Sequence, residues 1–226
     1  MADTATIASL ATAGGTLVLA IATFASTRSA NRAARVSERA LSIGLRPVLF
    51  NARPQDPPQK VGYGDDHWVV LREGLAVVQQ AGDGNIYLAL PLRNVASGIA
   101  VLHGWHLWPR RAGVDDPHPE IEEFRTQTRD LYVPAGDVSF WQAALRDTED
   151  ELYAPVQAAI TSGGPLSLDL LYGDHEGGQR TITRFYMIPR VQSGEPDADA
   201  DHAAHEPWLR LCSVSRHWNI DRADPR

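Results

Sequence analysis

The residues best suited to chemistry are clustered late in the chain. Two histidines three positions apart stand among carboxylates there: Asp197, Asp199, Asp201, His202, His205 and Glu206. Histidine nitrogens and carboxylate oxygens are common ligands of divalent metals, so such a set could bind one. The acidic residue follows the second histidine, so the HExxH arrangement of zinc proteases is absent. Residues 193–207 are rich in Ala, Asp, Glu, Pro and Gly and have little to bury, which predicts an acidic loop.

No other group of side chains indicates a reaction. His103 and His106 would point to opposite faces of a regular strand, and Asp174-His175-Glu176 is typical of a turn. Cys212 is the single cysteine, so it forms no internal disulfide. Nucleophile, P-loop and dinucleotide fingerprints are absent, and Gly82-Asp83-Gly84 reads as a hairpin turn. We expect no catalytic activity, cofactor or metal; a metal-dependent hydrolase or metal-binding protein using His and Asp side chains is the alternative.

Six tryptophans are the second chemical signal, because aromatic faces can form a binding platform. Trp105 and Trp108 lie on one predicted strand. Tryptophans in a domain of this size more often pack in the core and at its rim, but if the domain binds a protein we expect the interaction surface around Trp105 and Trp108.

The elements that position these residues are short strands. Beyond Pro47 the sequence alternates with a period of two and has turn residues between its apolar runs, as in an antiparallel immunoglobulin-like β-sandwich. Residues 86–93 alternate most clearly, and residues 99–108 are apolar on both faces. Residues 166–172 and 181–188 predict a hairpin, and residues 147–161 a short helix. Further strands are predicted at residues 48–52, 68–71, 76–79, 131–133, 138–145 and 208–216.

The beginning of the chain predicts a transmembrane helix. Residues 4–27 carry no charge, and about 20 apolar residues suffice to cross a bilayer as a helix. Asp3 precedes this run and every arginine follows it, which does not fit a cleavable secretory signal. Small residues recur every four positions in the run and would allow two helices to associate as a homo-oligomer: Ala8, Thr12, Thr16 and Ala20.

A basic stripe follows the uncharged run. Arg28, Arg32, Arg35 and Arg39 step by four, three and four residues, so they share one face of a helix that ends at Arg46-Pro47. Basic residues beside a span stay on the cytoplasmic side, so we expect a single-pass cell-membrane protein with a cytoplasmic soluble domain. The stripe either binds anionic lipid headgroups or only sets the orientation.

Charge is unevenly distributed between the two parts of the chain. Residues 1–46 carry five arginines and two acidic residues, a net charge of +3. Because the whole chain has a net charge of −7, residues 47–226 carry −10. The negative charge of residues 47–226 argues against nucleic acid as the partner. We expect an anchoring segment over residues 1–46 and a sandwich domain over residues 47–226, with an acidic loop near 193–207.

Three features together resemble a group of bacterial proteins. They are Asn94-Val95-Ala96-Ser97-Gly98-Ile99-Ala100, the turn Tyr172-Gly173-Asp174-His175-Glu176-Gly177, and an uncharged run followed by an Arg-rich helix and Arg46-Pro47. The sequence looks like actinobacterial-type, single-span membrane-anchored proteins of unknown function whose soluble part is taken to be an immunoglobulin-like β-sandwich. Members tend to show N-x-G-x-G-x-A at the first motif, whereas Ala96 replaces the first glycine here. The resemblance implies no catalytic residues.

These observations predict a membrane-anchored cytoplasmic binding or assembly module. Its expected partners are membrane lipid and a protein that the sequence does not identify. An extracellular wall- or sugar-binding sandwich is the alternative if the topology is reversed.

Overall fold

The computed structural model describes residues 3–113, 115–190 and 208–221. The chain forms two compact units, Met1–Gly44 and Leu45–Arg226. The first unit is one helix, α1 (Thr4–Gly44). The second unit, called the body, contains the strands and a short helix, α2 (Tyr153–Thr161). The predicted boundary at residues 46 and 47 lies two residues beyond the observed one.

The body is mainly antiparallel β-structure, as predicted, with twelve strands among the described residues. These are β1 (Leu49–Asn51), β2 (Gln59–Gly62), β3 (Trp68–Leu71), β4 (Ala76–Gln80), β5 (Ile86–Asn94), β6 (Ala100–Trp108), β7 (Arg125–Thr126), β8 (Tyr132–Val133), β9 (Val138–Leu145), β10 (Leu166–Gly173), β11 (Arg180–Pro189) and β12 (Leu209–Asn219). Each strand predicted from alternation is present within a few residues, and the predicted hairpin is the β10–β11 pair. The predicted helix over 147–161 begins only at Tyr153.

Ten strands form one sheet with the path β1-β5-β4-β12-β11-β10-β6-β7, and β2 and β3 form a separate ribbon. Strand β9 pairs with β5 along residues 86–93, so β4 and β1 share the opposite edge of β5. Trp105 of β6 contacts Trp141 of β9 although these strands are far apart along the path. The sheet therefore folds over on itself, an arrangement consistent with a β-sandwich.

The main core fills the space inside the folded sheet. Alternate residues of β5 point into it and are wholly buried, as predicted: Ile86, Leu88, Leu90 and Leu92. The opposite face of β5 is buried as well, since Tyr87 and Ala89 belong to a second cluster with Val61 and Val69 of the β2–β3 ribbon. The ribbon thus supplies a second layer over part of the sheet.

Helix α1 ends at Gly44, two residues before Arg46-Pro47, as expected from the restriction that proline places on the residue before it. From residue 12 onward its side chains are exposed. Within the part of the chain whose side chains are described, no helix has a stretch long and apolar enough to cross a bilayer. The predicted transmembrane helix over residues 4–27 is therefore not supported, because Ala, Thr, Ser and Gly dilute its large apolar residues.

Candidate functional site

The predicted basic stripe lies on α1. The helix is continuous from Arg28 to Arg39, so the four arginines, Arg28, Arg32, Arg35 and Arg39, share one line along it, and all are exposed. Leu17, Ile21 and Phe24 continue the same line at intervals of four, three and four residues, and each side chain is at least 61% exposed. One line of α1 therefore changes from large apolar residues to arginines at Arg28.

Trp105 is buried, contrary to the predicted exposed platform. Its side chain is 7% exposed and meets the ring of Trp141 edge-on, with centroids 5.5 Å apart. Leu171 of β10 pairs with Gly104 whereas Tyr172 pairs with Leu102, so His103 is the extra residue of a β-bulge. This bulge turns Trp105 towards the main core, where it packs as a core residue.

Trp108 lies on the outer face of the sheet and is half-buried. Its Nε1 donates to Asp169 Oδ2 at 2.8 Å. The guanidinium groups of Arg110 and Arg184 lie over its ring at 4.9 and 5.5 Å. Arg184 also lies over Trp218, at 4.9 Å, and Arg216 contacts that ring at 5.1 Å. We call this alternating row, Arg110, Trp108, Arg184, Trp218 and Arg216, the Trp–Arg ladder.

Arg184 at the centre of the ladder is wholly buried, and all five of its N–H donors are used. Nε and Nη2 donate to the two carboxylate oxygens of Asp169, at 2.7 and 2.6 Å. The remaining donors bind the backbone carbonyls of Gly113, Asp116 and Pro117. The ladder therefore fastens the loop after β6 onto the sheet, and its central arginine has no free donor for a ligand.

The first motif of the family resemblance lies at the end of the body where the chain enters from α1, and its Asn94, Gly98 and Ala100 are buried. Asn94 Nδ2 donates to the carbonyls of Gly98 (2.6 Å) and Val133 (3.2 Å). Its Oδ1 accepts from the backbone N–H groups of Val48 (3.4 Å) and Ala96 (3.1 Å). All four hydrogen-bonding positions of this amide are filled, so Asn94 joins three separate segments.

Arg46 holds the entering chain against the ends of β11 and β12. Its guanidinium is buried and donates to Thr181 Oγ1 (3.1 Å), Asn219 Oδ1 (2.9 Å) and Asp221 Oδ2 (2.5 Å). A buried arginine with a carboxylate partner makes charge-assisted bonds that are stronger than neutral ones. The start of the body is thereby tied to its last strand.

Four exposed apolar residues surround this entry point. They are Leu45, Val95, Ile99 and Tyr132, each 41–63% exposed, and we call them the junction rim. Their proximity follows from backbone contacts: Leu45 O lies against Gly98, the neighbour of Ile99, Val95 N donates to Val48 O, and Tyr132 pairs with Val101. A group of exposed apolar residues on one end of a domain is a candidate contact surface. Sequence reasoning missed it, because its members come from three separate segments: the residue just after α1, the loop after β5 and strand β8.

The histidines do not assemble a metal centre in the described residues. No group of three His, Cys, Asp or Glu side chains able to hold a metal occurs in residues 3–113, 115–190 and 208–221. His103 is half-buried, and burial lowers its pKa, with Arg180 adding to the effect and Asp174 opposing it. His217 contacts Thr183 Oγ1 at 2.7 Å, whereas His175 lies exposed in a turn.

Two other predicted features concern the last part of the chain. The predicted acidic loop near 193–207 and its candidate ligands Asp197, Asp199, Asp201, His202, His205 and Glu206 lie outside the described residues. Burial raises the pKa of the Cys212 thiol, which disfavours the reactive thiolate.

Comparison with protein-family models, with curated proteins and with solved structures gave no match to this chain. The suggested kinship with actinobacterial membrane-anchored proteins therefore stays a prediction.

Proposed function

We propose that the protein is a membrane-anchored binding or assembly module without catalytic activity, in which α1 holds an immunoglobulin-like sandwich at the cytoplasmic face of a bilayer. One observation carries the proposal. Residues 4–27 of α1 carry no charge, the large apolar side chains between residues 12 and 27 are exposed, and the arginine stripe follows immediately.

Large exposed apolar side chains are stabilised when another apolar surface removes them from water. Five large ones between Leu17 and Phe24 are each at least 61% exposed, and covering apolar area contributes roughly 25 cal/mol per Å². The helix has no packed face in this region to stabilise it, and isolated helices gain little from propensity alone. Lipid acyl chains would cover these residues whether α1 crosses the bilayer or lies in its interface.

The arginines support binding of α1 to a membrane surface. Each basic residue near an anionic leaflet contributes about 1 kcal/mol, and arginine beside an apolar helix favours the cytoplasmic side. Four of them on one line of α1 continue the line of Leu17, Ile21 and Phe24, so one face could meet acyl chains and then headgroups. Self-association of α1 through its small residues would add a second copy as a partner.

The body is the binding part of the proposal. Its antiparallel sheet folds around a core that contains the Trp105–Trp141 contact, which supports an immunoglobulin-like class. The junction rim, Leu45, Val95, Ile99 and Tyr132, is the surface that we assign to a protein partner, because it is apolar and exposed. The metal-dependent alternative has no supporting cluster among the described residues.

Liposome flotation of the full chain tests the anchoring. We expect the protein to float with vesicles that contain anionic lipid, and the triple variant Leu17→Gln, Ile21→Gln, Phe24→Gln to stay with the soluble fraction. The matched control, Val36→Gln, Leu41→Gln, Ile43→Gln, replaces three exposed apolar residues beyond the uncharged run and should float as the unchanged protein does. Equal flotation of the two triple variants, or no flotation of the unchanged protein, would contradict anchoring by this run. A reporter fused after Arg226 that is active only outside the cell would contradict the cytoplasmic assignment.

A further inference from the structure

Arg210 is buried without the partners that the other buried arginines have. Its side chain is 1% exposed, yet within residues 3–113, 115–190 and 208–221 its one hydrogen bond runs from Nη1 to Gly164 O, at 2.5 Å. Nε is buried and finds no acceptor. Arg46 also has a buried Nε without an acceptor, but its charge is paired with Asp221, and Arg184 is paired with Asp169 and fills all five donors. Among the described residues no carboxylate forms an ion pair with Arg210.

The surroundings of Arg210 make a buried charge without an ion-pair partner among the described residues unfavourable. Arg210 lies on the same face of β12 as Cys212 and Val214, the face that packs against the main core. Its cross-strand neighbours are Ala76 and Pro189. Burial in these apolar surroundings lowers the pKa of the guanidinium, since the charged form loses its hydration. A buried charge is normally paired and hydrogen-bonded. The end of α2 lies close by and favours a cation, but it supplies no acceptor for Nε.

The site is close to solvent despite its burial. Gly164, which accepts the Nη1 bond, follows Gly163 in the turn between α2 and β10, and a Cβ built on Gly163 would meet no atom within 4 Å. The guanidinium is therefore one hydrogen bond away from an exposed turn of two glycines.

We propose that Arg210 is the centre of an oxyanion-binding site that takes a carboxylate or phosphate group on the Nε side of the guanidinium. The edge formed by Nε and the neighbouring Nη donor presents two parallel N–H groups, and this fork matches the two oxygens of a carboxylate or phosphate. The ligand supplies the acceptor that Nε lacks and the negative charge that the buried guanidinium lacks. This inference does not depend on membrane anchoring by α1.

The test measures binding of inorganic phosphate and of acetate to the full chain at constant ionic strength, with chloride as the reference anion. Equilibrium dialysis gives the affinity, and the thermal unfolding midpoint should rise saturably with the bound anion. We expect Arg210→Met to weaken binding at least tenfold. Arg190→Met is the matched control, since it removes an exposed arginine at the same end of the sheet, and it should bind as the unchanged protein does.

Arg210→Lys keeps the charge but not the fork, so it should fold and still bind at least tenfold more weakly; it serves if the methionine variant does not fold. Equal affinity in Arg210→Lys, Arg190→Met and the unchanged protein, or no saturable binding of either anion, would overturn the proposal. A further variant replaces the five acids Glu195, Asp197, Asp199, Asp201 and Glu206 by their amides. Binding that appears only in this variant would also overturn it, because the ligand would then be a carboxylate of the chain itself.

Discussion

The guanidinium of Arg184 and the carboxylate of Asp169 form an ion pair in which both side chains are wholly excluded from solvent. They stand directly opposite each other on β10 and β11 and share two hydrogen bonds. The same arginine binds three carbonyls of the loop after β6, so the pair connects a hairpin to a distant loop. Breaking one side of such a pair leaves a buried charge without compensation.

We expect Asp169→Asn to lower the free energy of unfolding by about 3–5 kcal/mol, because the Arg184 charge stays buried without its counterion. The measurement is urea unfolding of the full chain. Glu73→Gln is the control: it breaks the exposed pair with Arg190, and such pairs contribute roughly 0–1 kcal/mol. Similar losses in the two variants would show that burial does not govern the strength of these pairs.

Gly98→Ala should destabilise the body, since a Cβ at residue 98 would lie 1.7 Å from Leu45 O and the backbone would have to move. Overpacking of this kind typically costs about 1–3 kcal/mol. Gly82→Ala is the matched change at a glycine with free space around it, and it should have little effect. Chemical denaturation measures both. If Gly98→Ala is as stable as Gly82→Ala, the close approach of the motif to the entering chain is refuted.

Acid should destabilise the body between about pH 4 and pH 2 in part through Asp56. Its hydrogen bonds from Arg93 and from the Arg53 N–H outweigh the effect of burial and lower its pKa from 3.8 to about 2. A carboxyl with a lowered folded-state pKa stabilises the fold above its unfolded pKa, and this contribution disappears as pH falls through the folded value. Asp65, held by Tyr87 and Arg146, titrates in the same window.

Asp56→Asn should therefore lower stability at neutral pH and make the loss of stability between pH 4 and pH 2 less steep. Denaturant titrations at several pH values measure this slope, with Asp115→Asn at an exposed aspartate as the control. An unchanged slope in Asp56→Asn would mean that the Arg93 contact does not stabilise the folded protein.

Replacing Arg32, Arg35 and Arg39 by Gln while keeping Arg28 should weaken binding to anionic vesicles. At about 1 kcal/mol each, three arginines correspond to a loss of roughly 150-fold, and this loss should shrink as salt rises. Binding to neutral vesicles should change little. A variant that binds anionic vesicles as tightly as the unchanged protein would leave the arginines with a role in orientation only.

Local sequence patterns predicted most of the strands but not the packing of the β2–β3 ribbon over the sheet. Alternation located β5 and the face with Ile86, and the turn residues located the hairpin of β10 and β11. The β2–β3 ribbon was missed in part because Gln59–Gly62 mixes polar residues and glycine; Trp68 lies across Gly62 and gives this strand its packing. Only pairing across strands reveals that contact.

The candidate surfaces depended still more on distant contacts. The bulge at His103, which turns Trp105 inward, is seen in the register between β6 and β10, and its sign in the sequence is Gly104 inside an otherwise regular strand. Asp169 and Arg184 did leave a signal, since each is the single charged residue of its predicted strand, residues 166–172 and 181–188. Aligning the two strands of that hairpin would have placed them opposite each other.

The Arg46 contacts have a mechanical consequence for a tethered protein. Tension applied along α1 enters the body at Leu45 and reaches Arg46 before the three-residue strand β1. Because Arg46 is hydrogen-bonded to Asn219 and Asp221, part of this force is transmitted directly to the end of β12. If α1 tethers the body as proposed, the force needed to unfold the body depends on these Arg46 contacts and not on β1 alone.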